Sequence, residues 1–294
     1  MKNRICFITG ANSGIGKITA RELAKQGMSI LMLVRNKEKG EQARNEIIKA
    51  TGNHAIELYT CDLSVQADIV KVANEINARH DKIDIFINNA GQIIPDYQTS
   101  TDGIEMTFAI NHLGPFLLTN LLLDLIKKGE EPRIINVSSE AHKFSKLDFN
   151  NLAAPKKYSA WLAYGNSKLA NILFTKQLAK EVKKEGITVN CLHPGAVATN
   201  FGAGYTGIAG AFFSLFRPFF ISPEKGAETT IYLASSPEVT GMTGLYFDKK
   251  KPKIPNKEAL SDYNAQKLWE VSAKLTKLPD HLKQMNTQQN YFTK

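Results

Sequence analysis

The chain has 294 residues, 43% of them hydrophobic, and a formal net charge of +9. That length suits one large α/β domain and that apolar content is ample for its core, so no disordered or fibrous class is needed. The excess positive charge does not carry a nucleic-acid reading, because the cluster Lys249, Lys250, Lys251 and Lys253 has no interleaved aromatics and reads as a solvated lysine face.

Met1 to Arg4 lead straight into the apolar run Ile5-Cys6-Phe7-Ile8, which is too short for a secretory core, so no export signal is expected. The run is followed by Thr9-Gly10-Ala11-Asn12-Ser13-Gly14-Ile15-Gly16 and then by a helical pattern through Ile18, Leu23 and Ala24. Strand, glycine turn and helix in this order suit a pyrophosphate: glycines let the backbone approach, and the amides of a helix N-terminus favour negative charge. The spacing Gly10, Gly14, Gly16 departs from the usual first, third and sixth glycines of dinucleotide sites.

Further strand-like runs near 30 to 34, 55 to 59, 83 to 87, 133 to 137, 187 to 192 and 244 to 247 alternate with helical patterns. The helices are predicted over 15–26, 38–51, 65–79, 103–127, 160–184, 224–235 and 258–275. Such alternation predicts a parallel sheet with right-handed crossovers: a single-domain, Rossmann-like, doubly wound α/β/α sandwich over 1–279. The polar segment 280–294 is expected to be a frayed tail.

Cys6, Cys61 and Cys191 lie in apolar runs without CxxC spacing, so they are expected to be small buried thiols of a reducing compartment. His54, His80, His112 and His142 are read as surface or loop residues, and no metal site is predicted. The stretch Gly207 to Ser222 is shorter than the roughly 20 residues of a spanning helix and holds Arg217 and Pro218. A soluble, cytoplasmic protein is expected.

Ligands of doubly wound sheets lie across the carboxyl ends of the strands. An acid about 20 residues past the glycines would bind the ribose hydroxyls of NAD. Here Arg35 stands 19 positions after Gly16, and a guanidinium grips the extra phosphate of NADP, so NADP is the expected cofactor. Lys17 beside the turn could add charge. Within the predicted helix 160–184, Tyr164 and Lys168 are four apart and face the same way. A nearby ammonium lowers a phenol pKa, which would suit Tyr164 to proton transfer near neutral pH.

These motifs together resemble the short-chain dehydrogenase/reductase family, whose glycine turn has the form TGxxxGxG and whose active site carries YxxxK. The resemblance covers nearly the whole chain. It includes Asp62, Asn88-Asn89-Ala90-Gly91, Asn111, Ser138-Ser139 and His193-Pro194-Gly195. Ser167 to Asn171 and Leu268-Trp269-Glu270 resemble the retinol dehydrogenase-like branch.

The resemblance implies a cofactor cradle of Gly10, Asn12, Ser13, Gly14, Ile15 and Gly16, with Asp62 and Leu63 at the adenine end and Asn89, Ala90 and Gly91 along the ribose. Pro194 and Thr199 would orient the nicotinamide. Tyr164 would be the acid/base, with Lys168 lowering its pKa and holding the ribose, Ser139 bonding the carbonyl oxygen and Asn111 ordering a water chain. Ser138 is the rival serine. Serine and tyrosine are 25 positions apart, with Phe144 to Trp161 as an apparent insert on the substrate side.

The Phe-rich segment within about 200–222 (Phe212, Phe213, Phe216, Phe219 and Phe220) corresponds to the family's substrate lid and implies a lipophilic carbonyl or alcohol substrate. It could equally pack on its own core or touch a membrane surface. Family members often pair through the helices holding Asn111 and Tyr164, which implies a homodimer. The expected activity is NADP-dependent hydride transfer to or from aldehydes, ketones or alcohols. A nucleotide-sensing binding protein and a peripheral membrane or scaffold protein are the alternatives.

Overall fold

The computed structural model describes residues 3–149, 151–153, 157–197 and 221–279. Thr199, the Phe-rich segment and the tail 280–294 lie outside the described residues.

Strand β1 (Ile5–Thr9) turns into helix α1 (Gly14–Lys25), followed by β2 (Ser29–Val34), α2 (Lys37–Thr51), β3 (Ile56–Thr60), α3 (Gln66–Arg79) and β4 (Ile85–Asn88). The second half runs through α4 (Gly114–Leu121), β5 (Arg133–Val137), α5 (Ala160–Glu181), β6 (Thr188–His193), α6 (Pro223–Ser235), β7 (Tyr246–Asp248), β8 (Lys251–Pro252) and α7 (Asp262–Leu275). They form one sheet of order β3-β2-β1-β4-β5-β6-β7-β8. Seven strands are parallel and the unforeseen β8 is antiparallel to β7. The order reverses between β1 and β4, which opens the crevice that ligands of such sheets occupy.

Strand alternation sends residues to both faces. Cys6 and Ile8 join a core with Leu23, Ile47 and Leu233 from α1, α2 and α6. Phe7 and Phe86, stacked with centroids 4.9 Å apart, join the opposite core with Ile76, Phe116, Phe174 and Trp269 from α3, α4, α5 and α7. This is the predicted three-layer sandwich, with all three cysteines buried.

The segment 103–127 is not the single helix its periodicity predicts. After a short turn at Met106–Phe108, Ala109–Leu113 widen into π geometry before α4, and a second short helical turn spans Leu123–Lys127. Pro115 supplies the physical reason, because it has no N–H to donate to the Asn111 carbonyl four residues back.

Two histidines correct the surface reading. His112 and His142 are fully buried, while His80 is half-buried against Tyr59, its Nε2 2.7 Å from the phenol oxygen. His112 Nε2 lies 2.9 Å from Ser272 Oγ, and its Nδ1 lies 3.4 Å from Asn171 Oδ1. Burial pushes its pKa down to about 3, so the ring is neutral at any working pH. The lysine cluster is also less free than its sequence suggests: Lys250 pairs with Glu228, and Lys253 pairs with both Glu140 and Asp248.

Candidate active site

The glycine turn sits at the carboxyl end of β1, with Gly10 at φ +68° and Gly14 at φ +51°, backbone that glycine adopts without strain. A Cβ on Gly16 would lie 2.3 Å from the Gly10 carbonyl oxygen and 2.5 Å from Asn89 Nδ2, so only glycine allows this closeness. Ser13 is the N-cap residue of α1, and its hydroxyl makes no capping bond to the first turn. The loop after β4 is stitched onto the turn across the switch point. The amides of Asn89 and Ala90 donate to Thr9 Oγ1 at 3.0 and 2.9 Å, and Asn89 Nδ2 donates to the Thr9 carbonyl at 2.9 Å.

Arg35 is exposed directly after β2. Lys17 is committed elsewhere: its ammonium pairs with Glu46 of α2 and holds that carboxyl below its usual range. Asp62 follows β3, and its Oδ1 accepts from both the amide and the hydroxyl of Ser64 at 2.9 and 2.7 Å. The neighbouring Leu63 is buried, and a Cβ on Gly114 would meet its carbonyl oxygen at 2.4 Å, so α4 begins hard against this loop. Pro194 is half-buried just after β6. Arg35, Asp62 and Pro194 thus stand just after β2, β3 and β6, at the carboxyl ends of the strands. They fit a dinucleotide, since the glycine-only approaches and the N-terminus of α1 together offer backbone donors to a pyrophosphate.

On the other side of the switch point, α5 carries Tyr164, Ser167, Lys168 and Asn171, all buried. Ser159 caps this helix by accepting from the Leu162 amide, and Gly165 lets it approach the turn after β5, where a Cβ would meet Ser145 Oγ at 2.3 Å. The two serines after β5 separate cleanly. Ser138 is buried and its hydroxyl donates to the Lys168 carbonyl at 2.7 Å. The Ser139 side chain hydrogen-bonds Tyr164 and also accepts from the Ala141 amide at 3.2 Å.

Lys168 lies against both the phenol ring and the sheet. Its Nζ sits 5.5 Å from the centroid of the Tyr164 ring and donates to the Val137 carbonyl at 3.1 Å. Desolvation dominates both groups: it pushes the Tyr164 pKa up, against the lowering by Ser139, and pulls Lys168 down to about 8. In the protein alone, burial is thus the largest influence on the phenol, opposed by the Ser139 hydrogen bond.

Asn111 lies in the π turn, fully buried. Both amide hydrogens are used, by the Gln92 carbonyl at 2.8 Å and Ser167 Oγ at 3.0 Å, and Oδ1 accepts from the Gln92 amide at 2.8 Å. The side chain thus braces the loop after β4 against α5. Gln92 was not singled out in the sequence, and no residue-type signal marks it because it acts through its backbone. Gly91 is exposed, and a Cβ there would lie 3.0 Å from Lys168 Nζ.

Residues 4–206 match the family model for short chain dehydrogenases. The chain belongs to this family. It is 44% identical to retinol dehydrogenase 13 of Homo sapiens over 92% of this chain and 84% of that one. It is 40% identical to retinol dehydrogenase 12 of Mus musculus over 92% and 86%. A solved structure of an uncharacterized protein from Mycobacterium paratuberculosis superposes with a TM-score of 0.75 at 32% identity, covering 94% of each chain. The chain is therefore a retinol dehydrogenase-like oxidoreductase of a family that uses nicotinamide cofactors. Among the described residues, no helix is long and apolar enough to cross a membrane, and no cluster of His, Cys, Asp and Glu could hold a metal ion.

Proposed function

We propose that this oxidoreductase uses NADP(H) and interconverts hydrophobic aldehydes or ketones with the matching alcohols, Tyr164 exchanging a proton with the substrate oxygen. The convergence of the Ser139 and Tyr164 side chains at the carboxyl ends of β5 and β6, with Lys168 beneath the phenol, carries this reading. When bound, the nicotinamide supplies or accepts the hydride. Ser139 shares its hydrogen bond between Tyr164 and the substrate oxygen, and Asn111 keeps the Gln92 loop fixed against α5. Gly10 to Gly16, Asp62, Leu63, Asn89 to Gly91, Pro194 and Thr199 are proposed to hold the dinucleotide.

Arg35 supports NADP over NAD, because an exposed guanidinium at the end of β2 can grip a phosphate while Lys17 is engaged by Glu46. The names of the relatives support a lipophilic substrate. So does Trp161, half-exposed one turn before Tyr164, with its ring 6.4 Å from the phenol ring. Cytoplasmic placement and homodimer formation belong to the same proposal.

The test is oxidation of NADPH and NADH by the wild type, Tyr164→Phe and Arg35→Asp with a panel of lipophilic aldehydes and ketones. NADPH turnover that falls by about 10²-fold or more in Tyr164→Phe, and shifts toward NADH in Arg35→Asp, supports the proposal. Full activity in Tyr164→Phe would remove Tyr164 as the proton donor.

A further inference from the structure

The peptide group joining Ser139 to Glu140 is held at both ends by imidazole rings. Its carbonyl accepts from His142 Nδ1 at 2.7 Å, and its N–H donates to His193 Nδ1 at 3.3 Å. Because a carbonyl can only accept and a backbone amide can only donate, the tautomers are forced. His142 carries its proton on Nδ1 and presents a bare Nε2, which accepts from the Asn256 amide at 3.3 Å. His193 presents a bare Nδ1. Each ring therefore makes its full set of bonds only when neutral.

The clamp is itself braced. Asn256 Nδ2 donates to the His142 carbonyl at 2.7 Å, and the Tyr246 ring meets His142 edge-on with centroids 5.0 Å apart. Gly165 brings α5 against the same turn from the other side. A peptide fixed at both ends fixes the backbone of Ser139, and with it the direction of the hydroxyl that bonds Tyr164.

We propose that His142 and His193 are positioning residues, a pair of neutral imidazoles that grip the Ser139–Glu140 peptide and so aim the Ser139 hydroxyl. The charged and titratable groups around them are Glu140 and Lys143 on the turn, Tyr246 and Asp248 on β7, Lys253 after β8, and each other. Desolvation lowers both histidine pKa values, outweighing the carboxylates of Glu140 and, at His193, Asp248. The grip is therefore intact at neutral pH and is lost as pH falls below the usual histidine range.

As a statement about catalysis this rests on the proposed activity, so its test has one arm without turnover. In the ¹⁵N-labelled full chain at neutral pH, imidazole nitrogen NMR should show His142 as the Nδ1–H tautomer and His193 as the Nε2–H tautomer. Any other pair of states overturns the clamp, whether or not the protein reduces an aldehyde. In the turnover arm, with NADPH and retinaldehyde, His193→Leu should lower kcat by roughly tenfold or more, with KM and NADPH affinity within about twofold of wild type. His193→Asn, whose Oδ1 can accept where Nδ1 did, should restore most of kcat and reduce the acid limb of the wild-type pH profile to the part that His142 sets. A kcat for His193→Leu within about twofold of wild type, or an unchanged acid limb in His193→Asn, overturns the proposal.

Discussion

Lys168 Nζ faces the Tyr164 ring at 5.5 Å from its centroid while donating to the Val137 carbonyl, so the buried ammonium is anchored to the sheet and not to the phenol oxygen. Its placement costs stability. With a pKa of about 8 in the fold against 10.5 as the ordinary value, the charged form is disfavoured, and the full penalty applies below pH 8. Wild-type stability should rise between those two values by at most about 3 kcal/mol. Lys168→Met should abolish activity, lack this rise, and unfold at higher urea than wild type at neutral pH. A Met variant less stable than wild type would show that the Val137 bond outweighs the desolvation.

His112 titrates in the same sense as Lys168, in a lower pH window. Its pKa is lowered from 6.5 to about 3, so below 6.5 the unfolded chain takes up a proton that the fold refuses. Stability is then lost as pH falls through that window, at about 1.4 kcal/mol per pH unit from this group. Urea unfolding of His112→Gln should show a shallower acid loss than wild type. Parallel curves for the two proteins would remove His112 from the acid sensitivity.

The glycines next to Lys168 and within the turn should respond differently to alanine. At Gly91 the added methyl meets the far end of a side chain, Lys168 Nζ at 3.0 Å, which can shift. Gly91→Ala should keep its unfolding midpoint while kcat falls by about tenfold or more, since displacing a reacting group by about an ångström can cost as much as 10²-fold. An unchanged kcat would mean that the lysine head adapts freely.

At Gly16 the methyl would meet backbone, the Gly10 carbonyl oxygen at 2.3 Å. Gly16→Ala should therefore lose both nucleotide affinity and stability, measured by NADPH fluorescence titration and by unfolding. Wild-type affinity in this variant would show that the turn and α1 can separate without harm.

The parts of the site that could be read from sequence are those set by short-range spacing. The glycine turn and the Tyr164 to Lys168 pair each lie within one turn or one helix, so their residue types carry the geometry directly. What separates Ser139 from Ser138 in the fold is that one hydroxyl meets the Tyr164 side chain and the other the Lys168 backbone, a tertiary fact. His112 was misread because it was judged by its lack of a ligand partner at helical spacing, whereas its burial comes from Asn171 and Ser272, which α5 and α7 bring onto it. The pairing of His142 with His193 was not legible because their partners, the Ser139–Glu140 peptide and Asn256, are brought together only by the packing of β5, β6 and the segment after β8. The burial of Tyr164 was not legible for a related reason: sequence spacing reports which charge is near but not how much water has been removed.

The bonds from Asn89 and Ala90 to Thr9 join the two halves of the sheet at the point where strand order reverses. A crevice floored this way has no hinge at its base. Docking of a dinucleotide should then need no prior folding of the turn, and its association rate should follow diffusion and the attraction of Arg35, slowing as salt is added, without a lag from loop ordering.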